Sequence, residues 1–294
     1  MTFNQYVLEE DLGTIESGKS FKELTTIGCG GLIQTLYTPK DIPCLIKAFS
    51  YIIKHQLNYF IIGNGSNVLA SDEMFQGIVI QLKKLPYSYT VDQGILTCSA
   101  FYPTTRLAYD LAAEQIGDLS FLGGIPGLLG GAIYNNSGAY LDDISKHLLE
   151  VEYLASDGSV KTMNRYSCGF SYRHSVFHHM DAIILKAKFK IEPKETLSLL
   201  EKRKKDRLLS QPLDSKNMGS IFKNNPLIPA WKVIDALGMR GFQIGDAAVS
   251  VKHSNFIINL GSASAKDVSS LIELIQQRAE LEFGIRLFCE ISRV

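Results

Sequence analysis

NYFIIGNGSNVL, residues 58–69, joins a short apolar run to a glycine-rich turn. The apolar run predicts a buried strand over residues 58–62 that ends at Gly63. The turn offers backbone N–H groups together with Ser and Asn side chains, a combination that suits a pyrophosphate. A Rossmann dinucleotide site is disfavoured, because Val68 replaces the third glycine and Lys83 and Lys84 follow where a ribose-binding acid is expected. By itself, the turn is equally consistent with a purely structural role.

A second glycine-dense segment, FLGGIPGLLGGAIYNNSGAY at residues 121–140, follows after strand-rich sequence. Its glycines fall where we expect neither helix nor strand. Glycine at such density usually allows a ligand to approach the backbone closely. Two such segments separated by strands therefore indicate a long ligand such as FAD.

Hydrophobic periodicity around these segments predicts a mixed α and β chain. Helices are expected at 41–54 behind an Asp41 N-cap, and at 104–114, 194–209, 230–237 and 265–283. Strands are expected at 32–38, 58–62, 77–82, 95–99, 183–191, 255–259 and 285–291, with a turn between paired strands at Asp157-Gly158. The 294 residues suffice for two or three packed units.

Charge and composition exclude several classes of function. Thirty basic and thirty acidic residues cancel, so we expect no binding to nucleic acid or to anionic membranes. The start of the chain lacks a basic segment followed by an apolar one, and the most apolar window, 121–134, is too short and too broken to span a bilayer. Five dispersed cysteines without a C-x-x-C pair indicate reduced thiols. We therefore expect a cytoplasmic protein.

Other matches to known patterns lack the context that those patterns need. GTIESGKS, residues 13–20, fits the P-loop pattern, but we expect neither a buried strand before it nor a long helix after it. His174 and His178 lie four positions apart without an H-E-x-x-H pattern or a third ligand, so we expect no metal site. Ser220 lacks the G-x-S-x-G context of a hydrolase.

Four sequence words, taken in their order, resemble those of the UDP-N-acetylenolpyruvoylglucosamine reductases (MurB), the flavin enzymes of bacterial cell-wall synthesis. The words are IIGNGSN at 61–67, the glycine-dense segment at 121–138, YRHS at 172–175 and NMGSIFKN at 217–224. FGI at 283–285, with Leu287, Glu290 and Ile291, is similar to the closing strand of that family. The resemblance covers essentially the whole chain after the N-terminal P-loop-like stretch.

The resemblance implies an α+β fold. It consists of a two-lobed FAD-binding unit of the vanillyl-alcohol-oxidase (PCMH) type and a C-terminal α+β substrate-binding domain. We predict the first lobe at 1–80, the second at 81–193, a helical connector at 194–211 and the substrate-binding domain at 212–294. The interval of 47 positions between Arg173 and Ser220 indicates the branch without a tyrosine-bearing lid loop, a type II-like member.

The resemblance also implies FAD as cofactor and NADPH as co-substrate. We expect non-covalent FAD, because residues 63–72 contain neither His nor Cys. The predicted FAD-binding residues come from the two glycine-rich segments: Gly63, Asn64, Gly65, Ser66, Asn67, Val68, Leu69, Ile125, Pro126, Gly127, Gly130, Gly131, Ala132, Asn136, Gly138 and Ala139.

The implied reaction, a step of peptidoglycan precursor synthesis, reduces the enolpyruvyl group of UDP-N-acetylglucosamine enolpyruvate to give UDP-N-acetylmuramate. We expect the protein to act as a monomer. Negative charge develops on the α-carbon and its carboxylate, which suits pairing with Arg173. Ser220 would protonate the α-carbon, and Glu290 would polarise the enolpyruvyl group or shuttle the proton. The predicted substrate-binding residues are Tyr172, Arg173, Lys223, Asn224 and His253.

The chain departs from the family pattern at two places. Asn225 stands between the F-K-N word and Pro226, and Gly28 and Cys29 occupy positions where a basic and an aliphatic residue are commoner. Two other functions stay open. One is a different FAD-dependent oxidoreductase of the same superfamily, acting on an alcohol or a sugar. The other is a non-catalytic relative that binds a nucleotide sugar, which the joint presence of Arg173, Ser220 and Glu290 disfavours.

Overall fold

The computed structural model describes residues 1–225 and 227–294. Pro226, one of the positions where the chain departs from the family pattern, lies outside the described residues. The chain forms two compact units. The first comprises Met1–Ser17, Thr35–Asn64 and Gly77–Lys204, and the second comprises Gly18–Gln34, Gly65–Gln76 and Lys205–Val294. The four-part division at residues 80, 193 and 211 stays a prediction.

The helices are α1 Phe3–Glu9, α2 Phe21–Leu24, α3 Ile42–Lys54, α4 Thr104–Glu114, α5 Leu129–Tyr134, α6 Ile144–His147, α7 Leu197–Ser210, α8 Ala230–Ala236 and α9 Ala265–Phe283. Short 3₁₀ helices cover Ser120–Gly124 and Val176–His179. In the described part of the chain, no helix combines the length and the apolar character needed to cross a membrane.

The strands are β1 Gly13–Glu16, β2 Ile33–Pro39, β3 Tyr59–Ile62, β4 Val68–Leu69, β5 Phe75–Gln81, β6 Tyr89–Asp92, β7 Ile95–Ser99, β8 Gly138–Ala139, β9 Asp142–Asp143, β10 Leu148–Ala155, β11 Val160–Asn164, β12 Ala182–Lys190, β13 Lys216–Ser220, β14 Gln243–Ile244, β15 Ala247–Val249, β16 Phe256–Asn259 and β17 Ser292–Arg293. The predicted strands and helices up to residue 283 correspond to these elements, with small shifts at their ends.

The first unit contains a five-stranded sheet in the order β11-β10-β12-β7-β6 and most of a four-stranded sheet in the order β1-β2-β5-β3. One core joins α4 and α5 to the five-stranded sheet through buried residues such as Leu107, Ile133 and Phe189. A second core joins α1 and α3 to the four-stranded sheet through residues such as Val7 and Phe49.

The second unit is built on a four-stranded sheet in the order β13-β16-β15-β14 and on the parallel pair β17-β4. α8 and α9 pack on it, and buried Val268, Leu271, Ile272 and Ile275 give α9 one apolar face at helical spacing. α9 begins at a Ser264 cap and ends at Gly284, whose φ of +65° is the left-handed conformation that glycine adopts readily.

The long helices begin where the sequence predicts. The Asp41 side chain accepts a hydrogen bond from the Cys44 N–H at 2.8 Å, which confirms the N-cap of α3. α8 is followed by Gly238 at a φ of +66°, so the predicted C-terminal glycine is also confirmed.

Two predictions about segments are wrong. Gly130, Gly131 and Ala132 lie in helix α5, because buried Leu129 and Ile133 pack that segment into the core despite its glycines. Gly138 and Ala139 of the same segment form strand β8, which pairs with β9. Residues 285–291 do not form a regular strand. They make one isolated bridge, Cys289 to Phe222, and the Leu287 carbonyl accepts from the Gln276 side chain at 2.7 Å instead of from a neighbouring strand.

The P-loop-like stretch lacks the strand–loop–helix context of a phosphate-binding loop. Its first residues form β1, which pairs with β2 in antiparallel register from Gly13–Pro39 to Glu16–Leu36. The helix after it, α2, is four residues long. The expectation that no long helix follows GTIESGKS is therefore confirmed, and a coincidental match stays a prediction.

Candidate active site

The first glycine-rich turn follows directly from β3. In the first unit, Gly63 comes after buried Ile62, and a Cβ added to it would lie 3.2 Å from Leu128 Cδ1. Asn64 is exposed. The apolar strand therefore ends where the sequence predicts, and a side chain at Gly63 would crowd the second glycine-rich segment.

The rest of that turn belongs to the second unit, where it is held by the chain itself. Gly65 has a φ of +63°, and a Cβ there would lie 2.1 Å from the Leu24 carbonyl oxygen. The Thr26 N–H also donates to the Gly65 carbonyl at 3.1 Å. Glycine is thus required at this position by the neighbouring backbone of the same chain.

Asn67 connects this turn to the C-terminal segment within the second unit. Its Nδ2 donates to the Glu290 carbonyl at 3.1 Å, and its own carbonyl accepts from the Ser292 N–H at 2.9 Å. Val68 and Leu69 then pair with Ser292 and Arg293 in parallel register. A predicted cofactor residue and the backbone of a predicted catalytic residue are therefore joined directly.

The second glycine-rich segment is fixed in the first unit by hydrogen bonds to the first residue of α4 and to the loop before that helix. The Thr104 hydroxyl donates to the Ile125 carbonyl and, at 3.2 Å, to the Gly127 carbonyl. The Gly130 N–H donates to the Ala100 carbonyl at 2.7 Å. These contacts position the stretch from Ile125 to Gly130, including exposed Pro126, at the start of α5.

Asn136 has a structural position at the end of this segment. It is 5% exposed with a φ of +42°. Its Nδ2 donates to the Ser171 carbonyl at 3.0 Å, and its Oδ1 accepts from the Ser145 N–H at 3.0 Å. Both polar atoms of the side chain therefore hold the protein together at this point.

The YRHS word forms a tight reverse turn. The backbones of Ser171 and His174 exchange hydrogen bonds at 3.1 and 3.2 Å, so that Tyr172 and Arg173 occupy the tip. Arg173 has a φ of +55°, a conformation that is uncommon for a residue with a side chain and that recurs at functional sites. Tyr172 is exposed.

The Arg173 guanidinium is oriented by two contacts in the first unit. Its Nη2 donates to the Gly138 carbonyl at 3.0 Å, and its Cζ lies 5.0 Å from the centre of the Tyr172 ring. Buried Ser175, which carried no predicted role, donates from its hydroxyl to the Tyr134 carbonyl at 2.6 Å. The turn is thus attached to the end of α5 and to the segment after it.

Ser220 lies at the end of β13, opposite Phe256 of β16. Gly219 before it has a φ of +79°, and a Cβ there would meet no atom within 4 Å. The next residue, Ile221, donates its N–H to the Asn255 carbonyl at 2.9 Å and accepts from the Glu290 N–H at 2.8 Å. The second unit therefore brings the backbones beside two predicted catalytic residues, Ser220 and Glu290, together.

Asn255 is a residue whose role the sequence did not indicate. It is 3% exposed, and its side-chain amide pairs with both polar groups of Phe222, accepting from N–H at 2.9 Å and donating to the carbonyl at 2.8 Å. The available signal was a single amide at the start of an apolar strand. This pairing sets the course of the chain just after Ser220.

The remaining predicted substrate residues lie in the second unit. The Lys223 N–H donates to the Phe288 carbonyl at 2.8 Å, and the Asn224 Oδ1 accepts from the Ala230 N–H at the start of α8, at 3.1 Å. The ring of His253 packs edge-on against Phe256, with centroids 4.9 Å apart.

Burial lowers the pKa of His253 below its usual 6.5, and the nearby Arg240 guanidinium lowers it further, while Asp235 opposes both effects. His253 Nδ1 accepts from the Asn255 N–H at 3.3 Å. This assigns the proton of the neutral ring to Nε2, which makes Nε2 a donor.

The thiols near these residues are not set up as nucleophiles. All five cysteines are free. Burial raises the pKa of Cys29 to about 12 and also raises that of Cys289, next to Glu290. Residues 1–225 and 227–294 contain no group of three or more His, Cys, Asp or Glu side chains placed to bind a metal ion.

Sequence models of two known protein domains match this chain, one in its N-terminal part and one in its C-terminal part. Residues 33–164 match the sequence model of an FAD binding domain, and residues 211–294 match that of the C-terminal domain of UDP-N-acetylenolpyruvoylglucosamine reductase. The reductase of Bacillus pumilus (strain SAFR-032) is 34% identical over 290 residues, which covers 97% of this chain and 96% of the relative. The chain belongs to the UDP-N-acetylenolpyruvoylglucosamine reductase family.

Other members of this reductase family agree with the assignment. The Carboxydothermus hydrogenoformans reductase is 38% identical over 271 residues, covering 91% of this chain and 90% of the relative. The crystal structure of the Thermus caldophilus reductase (MurB) aligns with a TM-score of 0.80 at 29% identity, over 96% of this chain and 99% of that one. The predicted family, the α+β fold class and FAD as cofactor are confirmed, and these relatives do not support the alcohol or sugar oxidase alternative.

The glycine positions of this reductase-family chain test whether its residues fit FAD. Gly131 is exposed in α5, and a Cβ added to it would meet no protein atom within 4 Å. Alanine would favour the helix there, so keeping glycine is consistent with backbone left bare for a ligand. At Gly138, by contrast, a Cβ would lie 2.3 Å from the Asp142 carbonyl oxygen. Gly131 thus fits a bound cofactor, whereas Gly65 and Gly138 are required by neighbouring backbone.

Proposed function

We propose that this chain is an NADPH-dependent flavoenzyme that reduces the enolpyruvyl group of UDP-N-acetylglucosamine enolpyruvate to UDP-N-acetylmuramate, in peptidoglycan precursor synthesis. The observation that carries the proposal is the match to named reductases along 97% of the chain. We also propose that it acts as a monomer in the cytoplasm and belongs to the branch without a tyrosine-bearing lid loop.

FAD would be held by the glycine-rich residues of the two segments, from Gly63 to Leu69 and from Ile125 to Ala139. Bound FAD supplies the hydride transfer that amino-acid side chains cannot perform. Gly131 would leave room beside α5, and Asn67 would keep the first turn in place through its contact with the Glu290 backbone. Asn136 would act on the second segment through its internal hydrogen bonds rather than by direct contact.

Ser220 would give the proton to the substrate α-carbon. A serine hydroxyl is a weak acid, so it needs a nearby cation or a bound water to act as a donor, and Lys223 is the cation closest to it in sequence. The backbone pairing next to Ser220 brings the Glu290 backbone to the same part of the second unit. Glu290 would polarise the enolpyruvyl group or pass the proton onward.

Arg173 would pair with the substrate carboxylate. A guanidinium matches a carboxylate with two parallel N–H···O bonds, and it stabilises the negative charge that develops during reduction. The hydrogen bond from Nη2 to Gly138 fixes the plane of the group before substrate arrives. Tyr172 would contribute its exposed ring at the same turn.

The remaining substrate contacts would come from Lys223, Asn224 and His253. Because the His253 pKa is lowered, its ring is neutral at pH 7 and would act as a hydrogen-bond donor from Nε2 rather than as a cation. Lys223 would then carry positive charge toward the anionic nucleotide sugar.

The purified protein tests this function in two steps. We expect it to be yellow and to release its flavin into solution on acid or heat denaturation. NADPH consumption should then depend on added UDP-N-acetylglucosamine enolpyruvate, with the unmodified UDP-N-acetylglucosamine as the control. Colourless protein that takes up no FAD, or NADPH oxidation that ignores the enolpyruvyl compound, would overturn the proposal.

A further inference from the structure

A short hairpin follows the second glycine-rich segment in the first unit. Its strands β8 and β9 pair Gly138 with Asp143 and Ala139 with Asp142, and Tyr140 and Leu141 form the tip. Both tip residues are in the left-handed region, with φ of +58° and +65°. Two consecutive residues with side chains rarely adopt this conformation unless other contacts hold them there.

Arg203 of α7 supplies such a contact. Its Cζ lies 4.0 Å from the centre of the Tyr140 ring, which is a close cation–π distance. Its Nη1 donates to the Ser120 hydroxyl at 2.9 Å, and Ser120 is 5% exposed. The Arg203 guanidinium thus donates a hydrogen bond to a buried hydroxyl and lies against the ring of the first residue of the hairpin tip.

The hairpin also carries the acceptor that orients Arg173. The Gly138 carbonyl, two residues before Tyr140, accepts from Arg173 Nη2 at 3.0 Å. A Cβ at Gly138 would lie 2.3 Å from the Asp142 carbonyl oxygen, so the two paired strands approach closely. Displacement of Tyr140 would therefore displace the partner of Arg173.

We propose that Arg203 is a positioning residue for the reaction, acting through the Tyr140 ring and the Gly138 carbonyl on the guanidinium of Arg173. The proposal rests on the proposed function of Arg173 as the partner of the substrate carboxylate. Arg203 lies outside the sequence words that indicate this family.

The test compares Arg203→Met with Arg203→Lys and with the control Arg165→Met. Arg165 also lies over a tyrosine ring, that of Tyr166 at 5.7 Å, on the segment after β11 and not on the hairpin. Arg203→Met should raise KM for the enolpyruvyl nucleotide sugar about tenfold, less than the roughly 10²-fold that a 1 Å misplacement of a reacting group can cost. Arg203→Lys should restore part of it, because an ammonium can also lie over the ring. Arg165→Met should change nothing, and each variant should keep the wild-type rate of flavin reduction by NADPH.

A double-mutant cycle with Arg173→Ala separates positioning from general destabilisation. If Arg203 acts through Arg173, Arg203→Met should add little to the loss in Arg173→Ala. A crystal structure of Arg203→Met should show the Arg173–Gly138 hydrogen bond broken. Additive losses in the cycle, or an intact hydrogen bond in the variant, would overturn the proposal. If the wild type fails to reduce the enolpyruvyl compound, only the proposed function is refuted. The crystal structure of Arg203→Met then still tests whether Arg203 positions Arg173.

Discussion

At the scale of single residues, two amide side chains determine where the backbone around the predicted catalytic groups runs. Asn255 pairs with both polar groups of Phe222, two residues after Ser220, and Asn67 binds the Glu290 carbonyl. Both interactions lie within the second unit. The backbone that carries Ser220 is therefore held by neighbouring residues, as a positioned proton donor requires.

Replacing Ser220 by alanine tests its role as proton donor. Ser220→Ala should retain FAD, and NADPH should bleach the flavin absorbance at close to the wild-type rate, because protonation of the substrate carbon comes later. Reoxidation by the enolpyruvyl nucleotide sugar should slow by about 10²–10⁴-fold, the range typical of a lost general acid. Stopped-flow absorbance follows the two half-reactions separately.

Ser220→Cys is the matched variant for this measurement. A thiol can also donate a proton, so this variant should recover part of the reoxidation rate. If Ser220→Ala slowed reduction by NADPH as much as reoxidation, the serine would be holding the cofactor, and its assignment as acid would be wrong.

The lowered pKa of His253 predicts a pH dependence of stability. The unfolded chain binds this proton near pH 6.5, whereas the folded chain binds it only at lower pH. Between these two values the unfolded state carries more protons, so the free energy of unfolding rises with pH across this window and falls as the pH drops below 6.5. Urea denaturation at several pH values measures it.

His253→Gln should flatten that pH dependence, because it removes the ring whose pKa is lowered on folding. An unaltered profile in His253→Gln would show that other groups cause the slope.

The site could be predicted from sequence only in part. Ser220, Arg173 and Glu290 were indicated by short words with a recognisable order. The side chains that support them bind far along the chain: Asn255 to a residue 33 positions away, Ser175 to one 41 positions away and Asn67 to one 223 positions away. Nothing local in the sequence identifies such partners, because they depend on how the strands pair.

At the scale of elements, α5 is where glycine has the clearest meaning. Gly131→Ala should stabilise the FAD-free protein by about 0.5–1 kcal/mol, because alanine favours a helix and its Cβ meets no protein atom. The same Cβ should weaken FAD binding at least tenfold, about 1.4 kcal/mol, if the cofactor approaches this helix. Thermal unfolding of the apoprotein and fluorescence titration with FAD give the two quantities.

Gly18→Ala provides the comparison. A Cβ at Gly18 also meets nothing within 4 Å, but its φ of +74° disfavours any side chain. This variant should lose stability and keep its FAD affinity. Unchanged FAD binding in Gly131→Ala would place the cofactor away from α5.

We also predict that the P-loop-like stretch, which covers β1 and the turn after it, takes no part in the reaction. Lys19→Ala should leave reductase turnover nearly unchanged, because Lys19 forms a solvent-exposed pair with Glu23 at 3.3 Å and such pairs contribute little. Steady-state kinetics measures this. A loss beyond tenfold, about 1.4 kcal/mol in transition-state terms, would mean that the stretch takes part in the reaction.

Elements with a clear hydrophobic pattern in the sequence were predicted correctly, and those with a weak pattern were not. The helices at 104–114 and 265–283 occur with the predicted bounds, because their apolar residues recur at helical spacing. α5 was predicted as loop, since glycine lowers helix propensity, but buried Leu129 and Ile133 outweigh that preference. The segment 285–291 was predicted as strand, but it is not a regular strand, and one of its backbone carbonyls accepts a hydrogen bond from a side chain.

At the scale of the whole molecule, the second unit gathers segments that are remote in sequence. β4, at Val68–Leu69, pairs with β17, at Ser292–Arg293, so the first glycine-rich turn continues into the same unit as the C-terminal residues. Hydrophobic periodicity carries no information about such pairing, which explains why only the family resemblance connected the two ends.

The most direct test of the proposed reductase activity is a single turnover by the wild-type chain. Protein reduced anaerobically with NADPH is freed of nicotinamide by gel filtration and mixed with UDP-N-acetylglucosamine enolpyruvate. We predict that the flavin absorbance returns and that UDP-N-acetylmuramate forms in an amount stoichiometric with the flavin, as quantified by mass spectrometry. A reduced flavin that persists in the presence of this substrate, or absorbance that returns without that product, would contradict the proposed function.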